Sequence, residues 1–481
     1  MTVEKNNIEP KLLRGFRDYL PAQVNARQKM IRTIRETYER YGFVPLETPA
    51  LEYMSTLVGH SEESSKQIFR SKSPEEDEIG LRFDLTVPLA RVVAQHPELP
   101  MPFRRYQVGP VWRADKPDPG RFREFYQFDL DTVGSSSMLA DTEILCGMYD
   151  TMRALGVERF QVRFSNRKIL NCLLEFAGIP FERSHSVFRV LDKMEKIGPE
   201  NIEKELTVGR VDQSGDKIPG LGLSASQVSR IREFTALPGG SRSEVLRSVE
   251  TLFASVESAK LAIGELREIS DNLTALGIPD THVFVDLSIA RGLDYYTGPV
   301  FEASLLDAPE FGSVFGGGRY DGLVERFLGK SIPATGASIG VDRLFAAMQK
   351  LGLVELKPST ANVLVIIMDR SKLVEYQTIT RLLRQAGINT ELYVGEEKSL
   401  SKQLQYANSQ KIPIALIMGE NEFAKHEVTL KDLRVGAELQ NKKGASPTER
   451  EEWLKISRTA QVTIAQTELL AKIRELLHVP Q

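Results

Sequence analysis

Val111-Trp-Arg-Ala-Asp-Lys-Pro-Asp-Pro-Gly-Arg-Phe-Arg-Glu-Phe-Tyr-Gln-Phe-Asp-Leu-Asp131 reads as two strands and the loop between them. Val108–Trp112 is apolar and strand-like, residues 114–120 carry two prolines and a glycine, and Phe122–Leu130 alternates again. That pattern is a hairpin with a long polar connection. Period-two alternation puts Phe125, Gln127, Asp129 and Asp131 on one face of the second strand and Phe128 and Leu130 on the other. A row of Gln and Asp is a poor core face but a good pocket floor; the competing reading is a solvated edge strand with surface ion pairs. Residues 104–123 hold six Lys/Arg against two Asp. Planar, permanently charged guanidinium forks in such a loop suit phosphate oxygens.

Two further segments share this character. Arg291-Gly-Leu-Asp-Tyr-Tyr-Thr-Gly-Pro-Val-Phe-Glu302 is followed by Gly316-Gly-Gly-Arg-Tyr-Asp-Gly322. Triple glycine between apolar stretches indicates close backbone approach, and paired tyrosines give a stacking face with hydroxyl donors; a plain hairpin with a glycine bulge is the alternative. Gly336-Ala-Ser-Ile-Gly-Val-Asp-Arg343-Leu-Phe-Ala-Ala-Met348 reads as a strand entering a helix whose first turn carries an arginine. There the free N–H groups, the helix dipole and Arg343 converge on an anion, unless the arginine is merely exposed. By contrast, Leu328-Gly-Lys-Ser331 fails as a P-loop, because Val324 stands where its first glycine belongs. No GxGxxG occurs, and the six histidines have no zinc-ligand spacing.

Around these segments the periodicity predicts a helix over 22–41, with Pro21 in its first turn and Gly42 at its stop, then an extended stretch to Pro49. It also predicts a helix capped by Ser165 and closed by Gly178. Charged helical stretches (Val187–Lys196, Ser226–Phe234, Glu244–Leu276) make 185–278 an inserted helical module. Residues 351–361 read as a linker. The βαβαβ order across 362–431 predicts a parallel sheet covered by helices, and 440–458 a charged loop with a short helix.

At about 150 residues per domain, 481 residues imply two to four domains. An apolar share of 41%, a charged share of 26% and a net charge of −3 exclude disorder and a global basic field, so a nucleic-acid partner must be held by a local patch. Two cysteines, Cys146 and Cys172, cannot build a disulfide framework and suit a reducing compartment. The N-terminus has no apolar core for a secretory signal. The apolar run Val363–Met368 is too short for a membrane span, so a cytoplasmic chain is expected.

Taken together, these segments resemble the class II aminoacyl-tRNA synthetases, and among them the histidyl-tRNA synthetase family. Arg14-Gly-Phe-Arg-Asp-Tyr-Leu-Pro21 with the helix and strand running to Pro49 is similar to class motif 1, the dimer-forming element. Trp112-Arg-Ala-Asp115 with Arg121 and Phe125 resembles motif 2, and Gly340–Leu344 resembles motif 3. Arg291–Glu302 and Gly316–Gly322 resemble the two histidine-specific signatures, and 362–434 the α/β anticodon-binding domain. The resemblance implies an antiparallel-sheet catalytic core with helices (1–184 and 279–350), a helical insertion (185–278), a linker (351–361) and a C-terminal anticodon-binding domain (362–481).

It further implies ATP-dependent activation of L-histidine and its transfer to tRNA(His) by a homodimer, with ATP arriving as its Mg2+ complex, no prosthetic group and no protein-held metal. Arg113 and Arg343 would bind the α- and γ-phosphates, Phe125 would stack on adenine, and Asp115 and Arg121 would hold the base or the terminal phosphate. Arg291 would neutralise charge growing on the α-phosphate, for which pre-placed cations supply about 10³–10⁵ in rate. Asp84, Thr86 and Gln127 would receive the substrate ammonium. Asp131 and Tyr296 would bracket the imidazole, with Tyr320 beside them and Tyr295 behind. A site that hydrogen-bonds both ring nitrogens rejects apolar rivals by about 10⁴–10⁵, so the insertion is expected to touch the tRNA acceptor arm rather than to edit. The commonest bacterial form carries Glu where this chain has Asp84 and Asp131; the Asp form resembles the branch that includes eukaryotic enzymes. The rival readings are a histidine-sensing regulator built on the same core and an unrelated α/β ligase.

Overall fold

In the computed structural model the hairpin is present and longer than its apolar letters suggest. Strands Phe103–Trp112 and Glu124–Val133 pair antiparallel along their whole length, from Phe103 opposite Val133 to Trp112 opposite Glu124. The structure describes residues 8–58, 66–116, 122–212, 215–289, 296–434 and 460–478, with the side chains of 195 and 196 excepted. The chain divides into two units, Met1–Arg17 with Lys29–Val354, and Asp18–Gln28 with Glu355–Gln481.

The hairpin lies inside the eight-stranded sheet of the first unit. Across that sheet the strands run Val44–Pro45, Phe103–Trp112, Glu124–Val133, Ala334–Gly340, Ser313–Arg319, Pro299–Leu305, Phe160–Asn166 and Val283–Val285. Only the two outermost pairings are parallel; the six inner strands pair antiparallel. The alternation read from the sequence holds: Phe128 and Leu130 are wholly buried on one face. Tyr38, from helix Pro21–Arg40, meets Phe128 edge-on at 5.1 Å between ring centroids. Helix Met138–Ala154 starts at Ser137, whose hydroxyl accepts from Leu139 N. It buries Ile144, Leu145, Met148 and Met152 completely. Each such side chain contributes about 1.5–3 kcal/mol on leaving water.

A buried ion pair anchors that helix. Asp141, in its first turn, accepts from Arg319 and, at 2.9 Å, from the Thr335 hydroxyl. Arg319 also donates to the carbonyls of Ser135 and Ser137. Asp141→Ala should cost about 3 kcal/mol, because it strands a buried guanidinium. Urea unfolding of the first unit would register the loss, and a change under about 0.5 kcal/mol would mean that Asp321 and the two carbonyls satisfy Arg319 alone.

Two expectations in this unit need correction. The helix Arg167–Ala177 is capped by Asn166, whose side chain accepts from Lys168 N at 3.0 Å, and not by Ser165. Ser165 is committed to the sheet, opposite Val300. Gly178 does close the helix, at φ 64°. The expected helix Glu244–Leu276 is two helices, Arg242–Leu252 and Ala259–Ala275. Phe253 and Val256 turn inward between them, and Phe253 stacks on Phe234. The insertion is otherwise helical, apart from a small hairpin of Gly209–Val211 and Lys217–Pro219.

The second unit contains a five-stranded sheet. Val363–Val365 pairs parallel with Thr390–Leu392 and with Ile414–Ile417. Glu427–Asp432 and Gln461–Ala465 then add antiparallel, so the sheet is mixed and not wholly parallel as expected. The reason is length: residues 418–426 hold only the short helix Glu420–Lys425, and a parallel crossover needs about a dozen residues or more. Tyr376 ties this core together, its hydroxyl donating to Met418 O at 2.6 Å and accepting from Met368 N. The charged segment 440–458 lies outside the described residues.

Candidate active site

Strand register assembles the site. Across four neighbouring strands, Arg105 stands opposite Asp131, Asp131 opposite Gly336, and Gly336 opposite Gly318. The next row on the same face is Gln107, Asp129, Ser338 and Gly316. The glycines leave room for their neighbours. A Cβ on Gly336 would lie 2.0 Å from Asp131 Oδ1, and one on Gly318 would lie 2.9 Å from the Tyr296 ring. Above these rows is a cavity of about 480 Å³.

All the expected site residues within the described regions border this one cavity. Arg113, Asp115, Phe125 and Arg343 line it, and so do Asp84, Thr86, Gln127, Asp131, Tyr296 and Tyr320. Arg121, Arg291 and Tyr295 lie outside the described residues. Arg113, just past the first hairpin strand, donates from Nε to Phe83 O at 3.0 Å, and its guanidinium carbon sits 5.2 Å from the Phe125 ring centroid. Arg343 is in the first turn of helix Val341–Lys350, which begins directly after strand Ala334–Gly340. Its Nη1 donates to Ser313 O at 2.7 Å.

The acidic side of the cavity is strongly perturbed. Asp84 is buried, which pushes its carboxyl above the usual range; the N–H of Val87, donating at 3.0 Å, and the charge of Arg113 oppose that. Asp131 is raised by burial and held back by Arg105 and by the Tyr320 hydroxyl, which donates to it. Asp129 is pushed up to about 7, chiefly by burial and further by Asp131, while Arg105 and Ser338 counteract. Gln127 donates to Ser338 Oγ at 2.9 Å, and its buried carbonyl oxygen has no partner among the described residues. The cavity can thus present two cations and an aromatic face to a nucleotide, and acceptors to an ammonium and a ring N–H.

Three residues in this arrangement had no role from the sequence. Asp342 lines the cavity, accepts from Tyr126 N at 2.6 Å and sits 3.5 Å from Arg17 Nη2, so it fixes the motif-2-like strand to the motif-3-like helix. Asp129 falls on the pocket face by alternation, but alternation gives it no task. Arg105 is fully buried, with Nη2 2.8 Å from Asp131 Oδ2 and 3.0 Å from Leu85 O. The signal for Arg105 was available: counting back along the hairpin from its polar loop sets Arg105 and Gln107 against Asp131 and Asp129.

Similarity to known proteins agrees with this geometry. A family model described as histidyl-tRNA synthetase matches residues 15–344, and an anticodon-binding domain model matches 362–476. A histidine-tRNA ligase of Ruegeria pomeroyi is 42% identical over 96% of each chain. The chain belongs to the histidyl-tRNA synthetase family. Its fold is that of the family's solved members: the histidyl-tRNA synthetase of Nostoc sp. PCC 7120 superposes with a TM-score of 0.82 at 32% identity, covering 98% of this chain and 100% of that one. A Bacillus halodurans protein titled an ATP phosphoribosyltransferase regulatory subunit/histidyl-tRNA synthetase shares the fold, with a TM-score of 0.68 at 24% identity over 83% of this chain and 97% of that one. The mixed α/β core with its large, mostly antiparallel sheet and the C-terminal anticodon-binding domain are therefore family features. No helix among the described residues is long and apolar enough to cross a membrane.

Proposed function

We propose that the chain activates L-histidine with ATP and transfers it to tRNA(His) for protein synthesis. The observation that carries this reading is the convergence of Arg113 and Arg343 on the cavity that also holds Asp84, Gln127, Asp131 and Tyr296. The cationic residues receive a triphosphate, supplied as its Mg2+ complex, while Phe125 takes the base and Asp115 and Arg121 serve the base or the terminal phosphate. Asp84, Thr86 and Gln127 receive the substrate ammonium. The ionised Asp131 accepts the ring N–H, and Tyr296 donates to the other ring nitrogen, with Tyr320 and Tyr295 supporting the wall.

In the first step a histidine carboxylate oxygen forms a bond to the α-phosphorus, and the bond to the β-phosphate oxygen breaks, releasing pyrophosphate. Arg113 and Arg291 carry the charge that develops on the α-phosphate, and Arg343 that of the departing group. In the second step a terminal ribose hydroxyl of the tRNA attacks the histidyl carbonyl, loses its proton and releases AMP. The C-terminal domain takes the anticodon end of the tRNA, and the insertion meets the acceptor arm. The chain works in the cytoplasm as a homodimer formed through the motif-1-like segment, along which Val44 is exposed, with Leu51 and Tyr53 exposed just beyond it.

Labelled pyrophosphate should enter ATP when L-histidine is offered and with none of the other nineteen amino acids. An exchange-silent chain that still binds histidine would instead be a sensor on this fold, and exchange driven by another amino acid would overturn the assignment of the slot.

A further inference from the structure

Beside the acidic row that floors the slot lies a buried charge to which the two reaction steps give no part. Arg105 has no exposed surface, yet burying a lone guanidinium is costly unless its neighbours compensate. Its Nη2 is 2.8 Å from Asp131 Oδ2, 3.8 Å from Asp129 Oδ2 and 3.0 Å from the carbonyl of Leu85, the residue after Asp84. One terminal nitrogen therefore joins the strand carrying Asp131 to the segment carrying Asp84. These are the two carboxylates assigned above to opposite ends of the bound histidine. Three carboxyls, Asp84, Asp129 and Asp131, surround this single buried cation, and each is favoured in its charged form by it.

We propose that Arg105 is the positioning residue of the histidine slot: from the neighbouring strand, on the same face of the sheet, it holds Asp131 as a charged, correctly turned acceptor for the ring N–H and fixes the Asp84 segment at the matching distance. Asp131 then cannot rotate away, because Tyr320 holds its other oxygen. The Arg105 charge also opposes protonation of Asp131, which would turn the acceptor into a donor and favour the wrong ring tautomer. Arg105 does not border the cavity, so it acts through Asp131 and Leu85 and not by touching substrate. The inference rests on the proposed histidine site.

Replacing Arg105 by a neutral side chain of similar length tests it. In Arg105→Met the histidine KM in pyrophosphate exchange should rise ~100-fold at neutral pH, the effect of removing a charge-assisted hydrogen bond from a buried site. ATP KM and kcat should stay within about fivefold. Arg105→Lys, which keeps the charge but must reach Asp131 and the Leu85 carbonyl from a shorter side chain, should recover roughly a tenth to a half of the affinity.

A pH profile separates this from a general loosening of the core. The titratable and charged groups around Asp131 are Asp129 on its own strand, Arg105 on the neighbouring strand, Tyr320 and Tyr296 across the cavity, Asp84 and Arg113 at its margin, and Tyr38 behind the sheet. With Arg105 gone, the Tyr320 hydroxyl is left to oppose burial at Asp131, so that carboxyl shifts further up. Histidine KM should therefore fall with rising pH more steeply in the variant than in wild type. Above about 6.5 the substrate imidazole is itself neutral, so its own titration does not supply the difference.

Arg105→Met/Asp129→Leu restores local charge balance and protects against a failure to fold. It should keep the raised, pH-dependent histidine KM. A folded single or double variant with histidine KM within threefold of wild type, or with histidine and ATP KM raised equally, would overturn the role of Arg105. Histidine-dependent exchange by the wild-type chain is the separate control: its absence sinks the proposed function itself.

Discussion

Arg113→Ala is expected to slow histidine-dependent pyrophosphate exchange by ~10³-fold or more, which corresponds to about 4 kcal/mol of transition-state stabilisation. As the histidine carboxylate attacks, negative charge accumulates on the α-phosphate oxygens, and a cation already held in place lowers that barrier without reorganising. Arg113 is so held: Nε is fixed on the Phe83 carbonyl, and its guanidinium lies against Phe125. Its ground-state contact with ATP is the smaller part of its contribution, so kcat should fall much further than ATP KM rises. Lysine in its place keeps the charge but cannot both hold Phe83 O and present a planar fork, so Arg113→Lys should regain no more than about a tenth of the rate. A drop below tenfold in Arg113→Ala, with the fold intact, would reduce this arginine to packing beneath an aromatic ring. A raised ATP KM with kcat unchanged would assign it to binding alone.

The parts of this site that were legible in the sequence are those fixed by local rules. Alternation in Glu124–Val133 separates the pocket face from the core face, because a strand has period two and both neighbours are strands. Gly340–Arg343 is readable because a helix start obliges the backbone to present free N–H groups. The illegible parts depend on distance in space. Arg105 can be set against Asp131 by counting along the hairpin, but its contact with the Leu85 carbonyl, like that of Asp342 with the Tyr126 amide, shows only in space. The cap at Asn166 was misplaced by one residue, since the sheet had a prior claim on Ser165. In the second unit the parallel direction held for Val363–Val365, Thr390–Leu392 and Ile414–Ile417 and failed at Glu427–Asp432: period reports burial, and only the length of the connection across 418–426 reports direction.

Gly336→Ala should lower kcat/KM for histidine by ~10³-fold, mostly through KM, although the added group is one methyl. Gly336 pairs with Asp131 on one side and Gly318 on the other. An ideal Cβ there would lie 2.0 Å from Asp131 Oδ1, 2.5 Å from its Cγ and 2.7 Å from the backbone oxygen of Leu130. The backbone oxygen cannot yield without breaking the ladder, so the carboxylate must turn. Turning breaks its ion pair with Arg105 and its hydrogen bond with Tyr320, and the substrate ring is left without a charged acceptor that no water can replace in a filled slot. Overpacking should also lower stability by about 1–3 kcal/mol, so binding must be measured where the variant is fully folded. Gly322→Ala is the control, since a Cβ there meets nothing within 4 Å, and its kinetics should match wild type. ATP KM in Gly336→Ala should move by less than about threefold, because the clash is with Asp131 and not with Arg113 or Arg343. If histidine KM also held steady, Asp131 could not be the group that grips the ring, and the acidic row on this strand would have to serve the fold alone.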